Sequence, residues 1–129
     1  MILLDTHAWV WWVNSVEGEL PEVVRDLIER EERIAVSSIS CLEVALLVKK
    51  QRLQLPCALD AWFELALVTS RIELLQLTPT IAARSAELPD IHADPADRII
   101  VATALHHQMS LISKDKTIAL YPDINVLWA

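Results

Sequence analysis

Short apolar runs alternate with longer amphipathic ones along this chain. Ile2-Leu3-Leu4, Ile34-Ala35-Val36, Ile72-Glu73-Leu74-Leu75, Leu111-Ile112 and Val126-Leu127-Trp128 are too short for buried helices and read as strands. Between them, Trp9, Trp12, Val13 and Val16 recur at helical spacing, predicting a helix from Thr6 to about Val13. A charged amphipathic helix runs from Pro21 to about Glu32, and others run from Ser40 through Lys50 and from Pro56 to about Ser70. Two more cover Thr80 to Leu88 and Pro95 to about Gln108, and a short one starts near Asp115. Apolar strands separated by helices predict an α/β fold, with a parallel sheet covered on both faces and right-handed crossovers. No repeat, linker or low-complexity stretch interrupts the pattern, so a single domain over residues 1–129 is expected.

Composition narrows the class. Hydrophobic residues make up 53% of the 129, with one glycine, Gly18, which is a globular profile and not that of a disordered tail. No apolar run is long enough to span a bilayer. Met1 leads straight into an apolar segment with no basic region, which predicts no secretory signal and a cytoplasmic protein. Cys41 and Cys57 lack disulfide-scaffold or metal-ligand spacing and read as free thiols. A net charge of −7 excludes a protein that coats nucleic acid by electrostatics alone. The segment from Glu17 to Arg33 holds seven acids against three bases, while Lys49, Lys50 and Arg52, and again Lys114 and Lys116, leave room for a local contact with nucleic acid.

The candidate chemistry lies in acids at predicted strand ends and helix starts. In an open parallel sheet both fall on one edge. Asp5 follows the first strand, Glu43 opens the helix after the second, Asp94 and Asp97 open the helix before the fourth, and Asp115 follows the fourth. Each has a structural reading. Ser40-x-x-Glu43 matches a capping box, Asp94 before Pro95 a helix cap, and Asp97 a dipole-favoured third helical position. Together they ask for more. Clustered carboxylates repel one another, and helix termini return only about 0.3–1 kcal/mol per charge. A hard divalent cation gives a stronger reason, and Mg²⁺ or Mn²⁺ suits oxygen ligands and phosphodiester hydrolysis. His106 and His107 lie about three turns from Asp97, and His7 and His92 are near enough to touch a substrate without being needed as bases. Trp9 and Trp12 share a helix face, so Trp11 points elsewhere.

In order and spacing, four pieces resemble the PIN-domain nucleases, and within them the VapC-type toxins of toxin–antitoxin pairs. They are Leu3-Leu4-Asp5-Thr6-His7, Ser40-x-x-Glu43, His92-x-Asp94-Pro95-x-Asp97-Arg98 with the following Ile99–Ala104 run, and Leu111-Ile112-Ser113-Lys114-Asp115. The resemblance implies an α/β/α sandwich around a parallel sheet of order 3-2-1-4-5 and a Mg²⁺- or Mn²⁺-dependent endoribonuclease. It implies that Asp5, Glu43, Asp97 and Asp115 are the catalytic metal ligands, with Asp94 accessory. Thr6 and Ser113 then hydrogen-bond carboxylates, and Arg98 pairs with an acid in preference to a substrate phosphate. Implied partners are RNA, with transfer RNA one candidate, an antitoxin that blocks the site with a basic side chain, and a second copy in a homodimer. Haloacid-dehalogenase-like phosphatases fail at His7, where they need an aspartate, and response-regulator receivers fail at Thr78-Pro79-Thr80. The alternative is a catalytically silent domain of the same fold that only binds protein.

Overall fold

A computed structural model describes residues 1–128; Ala129, the last residue of the expected domain, lies outside the described residues. Five strands, β1 (Ile2–Leu4), β2 (Ile34–Ser37), β3 (Ile72–Leu75), β4 (Ser110–Ile112) and β5 (Val126–Leu127), form one sheet of order β3-β2-β1-β4-β5. Every pairing is parallel, with Ile2 opposite both Ile34 and Ser110. Six helices accompany it: α1 (Thr6–Asn14), α2 (Glu22–Arg30), α3 (Ser38–Lys49), α4 (Leu59–Phe63), α5 (Pro79–Glu87) and α6 (Pro95–His107).

Alternation along the strands splits the core in two. Ile2, Leu4, Val36, Ile72 and Ile112 face a layer containing Trp9, Val24, Ile28, Val44, Trp62 and Ala66. Leu3, Ala35 and Leu111 face the opposite layer, with Ile100, Val101, Ala104, Ile118 and Tyr121. The fully buried Trp9 and Trp62 pack at 4.9 Å between ring centres, and truncating either to alanine costs about 3–5 kcal/mol. Among the described residues no helix is long and apolar enough to cross a membrane.

Most boundaries move by a residue or two, and three differences have physical causes. The segment expected as one helix after Pro56 starts at Leu59 and loosens into a π-helix over Glu64–Thr69. The helix near Asp115 is a single 3₁₀ turn at Ile118–Leu120, because Asp115 itself folds into a side-chain-bonded turn. The start of α3 is earlier than expected, with consequences for the site.

Candidate active site

The chain passes from β1 into α1 and from β2 into α3 with almost no loop, so both helix N-termini sit at the C-terminal edge of the sheet. Asp5 caps α1, its Oδ1 accepting from the Ala8 N–H at 2.9 Å. Ser37, not Ser40, caps α3, accepting from the Ile39 N–H at 3.2 Å. The capping box expected between Ser40 and Glu43 therefore does not form. The helix has already begun, which buries Ser40 and places Glu43 in the second turn. Instead the buried Thr6 hydroxyl donates to Glu43 Oε1 and hydrogen-bonds the Ser40 hydroxyl at 2.8 Å. Thr6 thus serves the acid of a different segment, and Ser113 does likewise by hydrogen-bonding Asp5.

The turn into α6 divides its charges. Asp94 Oδ1 caps the helix through the Ala96 N–H at 3.0 Å. Asp94 also offers a carboxylate oxygen to a group with Glu43 and Asp97 in which the ligand atoms lie within 4.8 Å of one another. Capping and clustering are both true of this residue.

Arg98 overturns its expected role: it pairs with no acid. Its Nη2 donates to the Ser85 and Leu88 carbonyls at 2.9 and 2.7 Å, and its Nη1 to the Pro89 carbonyl at 2.9 Å. The physical reason is the last turn of α5, whose unpaired carbonyls lie closer than the carboxylates and carry the negative end of the helix dipole. Nη1 also reaches the His92 carbonyl at 3.3 Å and the Tyr121 hydroxyl at 3.4 Å, and that hydroxyl accepts from the His92 N–H at 3.0 Å. Arg98 and Tyr121 together clamp the segment that delivers His92.

His92 is the residue that sequence reasoning undervalued. Its Nε2 lies 3.1 Å from both Asp97 Oδ2 and Asp115 Oδ2. Its Nδ1 accepts from the Asp94 N–H at 3.2 Å, which assigns the ring proton to Nε2, between the two carboxylates. The signal was its place two residues before Asp94; what the sequence lacked was the turn that folds the ring back over α6. The clamp's other half, Tyr121, was also missed, although it is the chain's one tyrosine.

All five acids line one cavity of about 400 Å³ at the sheet edge. Asp5 and Asp115 line it without joining the group of Glu43, Asp94 and Asp97, and Asp115 forms a second group with His92 and Asp97. Asp97, common to both, is pushed up to about 7 by burial first and then by Asp94 and Glu43. Burial also raises Asp5, against the Ser113 and Ala8 hydrogen bonds, and raises Glu43, against the Thr6 bond. Asp115 loses hydration too, yet the Thr117 N–H and His92 hold it below the ordinary range. His7 lies at the exposed rim, while His106 and His107 sit at the far end of α6.

Against known families, residues 2–123 match the PIN domain. The chain belongs to the PIN-domain family. This PIN domain is 34% identical over 116 residues to Ribonuclease VapC22 of Mycobacterium tuberculosis (strain ATCC 25618 / H37Rv), covering 89% of the chain and 87% of that protein. In fold it is similar to a toxin–antitoxin complex from Klebsiella pneumoniae, with a TM-score of 0.69 at 24% identity over 98% of this chain and 96% of that one. It is similar also to VapBC2 from Rickettsia felis bound to a promoter DNA fragment, with a TM-score of 0.71 at 19% identity over the full length of both. The all-parallel order 3-2-1-4-5 expected from the resemblance is the order observed.

The donor set of this PIN domain fits a hard cation. Glu43, Asp94 and Asp97 offer only oxygen, as Mg²⁺ and Mn²⁺ prefer, and burial together with the neighbouring acids disfavours the ionised form of Asp97, which a cation would offset. The group with His92 fits less well, because its Nε2 carries a proton directed at the carboxylates.

Proposed function

We propose that this chain is the endoribonuclease toxin of a toxin–antitoxin pair, hydrolysing RNA phosphodiester bonds in the acidic cavity with the help of Mg²⁺ or Mn²⁺. The observation that carries the reading is the convergence of Glu43, Asp94 and Asp97 in a cavity also lined by Asp5 and Asp115. Asp5, Glu43, Asp97 and Asp115 are the catalytic acids, with Asp94 accessory. When bound, the ion lowers the pKa of water and offsets phosphate charge.

The chain's own contribution is to hold acids still. One oxygen on each of four carboxylates is fixed by a neighbouring donor: Asp5 by the Ala8 N–H, Glu43 by Thr6, Asp94 by the Ala96 N–H and Asp115 by the Thr117 N–H. Such outer partners set carboxylate orientation and tune metal affinity. His92 keeps Asp97 and Asp115 at one spacing by bridging them. A silent binding module has no use for carboxylates held apart from their ordinary ionisation, which favours the enzyme over that alternative.

The relatives carry the partner into the proposal. An antitoxin places a basic side chain among the acids, where unbalanced negative charge attracts it. RNA is the substrate class, with transfer RNA the first candidate, and the protein works in the cytoplasm. Exposed Leu42 and Leu46, one turn apart on α3, offer a second copy of the chain an apolar contact for a homodimer.

The deciding experiment is cleavage of total RNA by purified protein with Mg²⁺ or Mn²⁺ and with EDTA. Cleavage is expected with either metal and not with EDTA. Cleavage that survives EDTA, or none with either metal, overturns the reading.

A further inference from the structure

One wall of the acidic cavity carries no acid. Trp11 of α1 and Lys114, just beyond β4, form it, with His7 at the rim. Two of the chain's other indoles do different work: Trp9 and Trp62 are fully buried, and their Nε1 atoms donate to the Ala66 carbonyl at 3.2 Å and to Asn14 Oδ1 at 2.7 Å. Trp11 is only partly buried and lines the cavity. Its ring is held by His7 at 5.6 Å and Trp128 at 6.2 Å between centres, tilted by 47° and 53°. An aromatic ring braced by two neighbours at an angle is oriented before anything binds.

Lys114 strengthens the case. Five carboxylates line the same cavity, yet among the described residues its ammonium forms no ion pair. It rests over the Trp11 ring, 5.9 Å from the centre. Among the described residues Lys114 is the one lysine or arginine lining the cavity, and it is uncommitted to any acid and available to another anion.

We infer that Trp11 and Lys114 form a nucleotide subsite, in which the indole stacks one unpaired base beside the scissile phosphate and the ammonium takes a phosphate oxygen. This rests on the ribonuclease reading and names the part of the substrate that the acids leave unrecognised. Stacking suits an acidic cavity, because it needs only the π-face that every base presents and no net charge on the protein. The base must be unpaired, since a duplex keeps its base faces stacked internally.

Magnitudes settle the competition for the ring. An exposed cation over an indole is worth about two- to fivefold in an equilibrium, whereas stacking a base on an aromatic side chain is worth about five- to 150-fold. An arriving base displaces the ammonium, which turns to the phosphate. Position supports RNA over a protein segment. Lys114 is the residue before Asp115, and Trp11 lies six residues beyond Asp5 on α1, so a ligand on this wall is continuous with the acids.

The test separates this inference from the reading it rests on. RNA oligonucleotides carrying 2-aminopurine at successive positions are bound to the full chain bearing Asp97→Asn, so binding is measured without cleavage. Quenching is expected at one position, lost with Trp11→Ala and retained with Trp11→Phe. In the cleaving protein, Trp11→Ala lowers kcat/KM about five- to 150-fold, an abasic residue at the quenched position lowers wild type equally, and the two losses do not add. Lys114→Ala raises KM whether or not the base is present. Thermal melts of each variant identify loss of folding, and Trp11→Phe carries the test if Trp11→Ala melts early. Additive losses, or an unquenched base at every position, overturn the subsite. Unchanged cleavage by Trp11→Ala with loss of self-association or protein binding overturns it in favour of a protein interface. Quenching without cleavage by the unmodified chain overturns the ribonuclease reading and leaves base stacking standing.

Discussion

Asp97 and Asp115 share one partner and respond in opposite directions. The same His92 Nε2 lies 3.1 Å from each, yet Asp97 is pushed up to about 7 while Asp115 is held below the ordinary range. The difference lies in what else each acid meets. Asp97 is half-buried at the start of α6 with Asp94 and Glu43 close by, and its one favourable neighbour is His92. Asp115 stands in the more open turn after β4, where the Thr117 and Ile118 N–H groups stabilise its charge. One half of the cavity is short of positive charge and the other is supplied by backbone. The cation we propose would sit on the first half.

Substituting the two acids gives the largest effects. Asp97→Asn is expected to reduce cleavage by more than the roughly 100-fold typical of losing an outer partner, and to raise the metal-free melting temperature at pH 8. Asp115→Asn is expected to lower that temperature slightly, because its backbone donors lose an anion. Cleavage assays and thermal melts check both, and shifts of the same sign erase the contrast between the halves.

The pH dependence of stability comes next. A carboxyl pushed up to about 7 binds a proton in the folded protein that the unfolded chain has released above the ordinary value of 3.8. Metal-free stability is therefore greatest at the acid end, falls as pH rises between those values and levels off above about 7. Melts from pH 5 to pH 8 should show the fall in wild type and a flatter profile in Asp97→Asn. Mn²⁺ should raise the melting temperature more at pH 8 than at pH 5.5, since it competes with the proton. A profile that rises with pH, or the same Mn²⁺ response at both values, refutes the assignment of the charge-poor half.

Smaller effects test the clamp that sets the spacing between the halves. Arg98→Lys keeps the charge and loses the fork that gathers the carbonyls of Ser85, Leu88 and Pro89. Cleavage is expected to fall about 10- to 100-fold with weaker Mn²⁺ binding. Tyr121→Phe removes one acceptor from the His92 N–H and costs about 1 kcal/mol of stability. Wild-type Mn²⁺ affinity in both variants means that the clamp supports the fold and not the acids.

Much of the architecture was legible in the order of short and long periodic runs. Ile2-Leu3-Leu4 is apolar at every position because the sheet is covered on both faces, and the observed split between Ile2 and Leu4 on one side and Leu3 on the other shows it. The acids were legible as well, because strand ends and helix starts share one edge of a parallel sheet. The Ser40–Glu43 pairing was misread. The Ser40-x-x-Glu43 spacing is present in the chain whether the helix is capped at Ser37 or at Ser40, and only the strand–helix junction chooses.

By itself the sequence determined which chemical groups reach the edge: five carboxylates from four segments, one tryptophan off the face that Trp9 and Trp12 share, and a lysine beside the last acid. The tertiary structure alone decided how they are partnered. Local pattern specifies a residue's element and face, whereas a hydrogen-bond partner 23 or 37 residues away is set by how the helices pack. That is why Arg98, read locally as a partner for the acids beside it, instead holds the carbonyls of α5. It is also why His92, unremarkable in the chain, bridges Asp97 and Asp115.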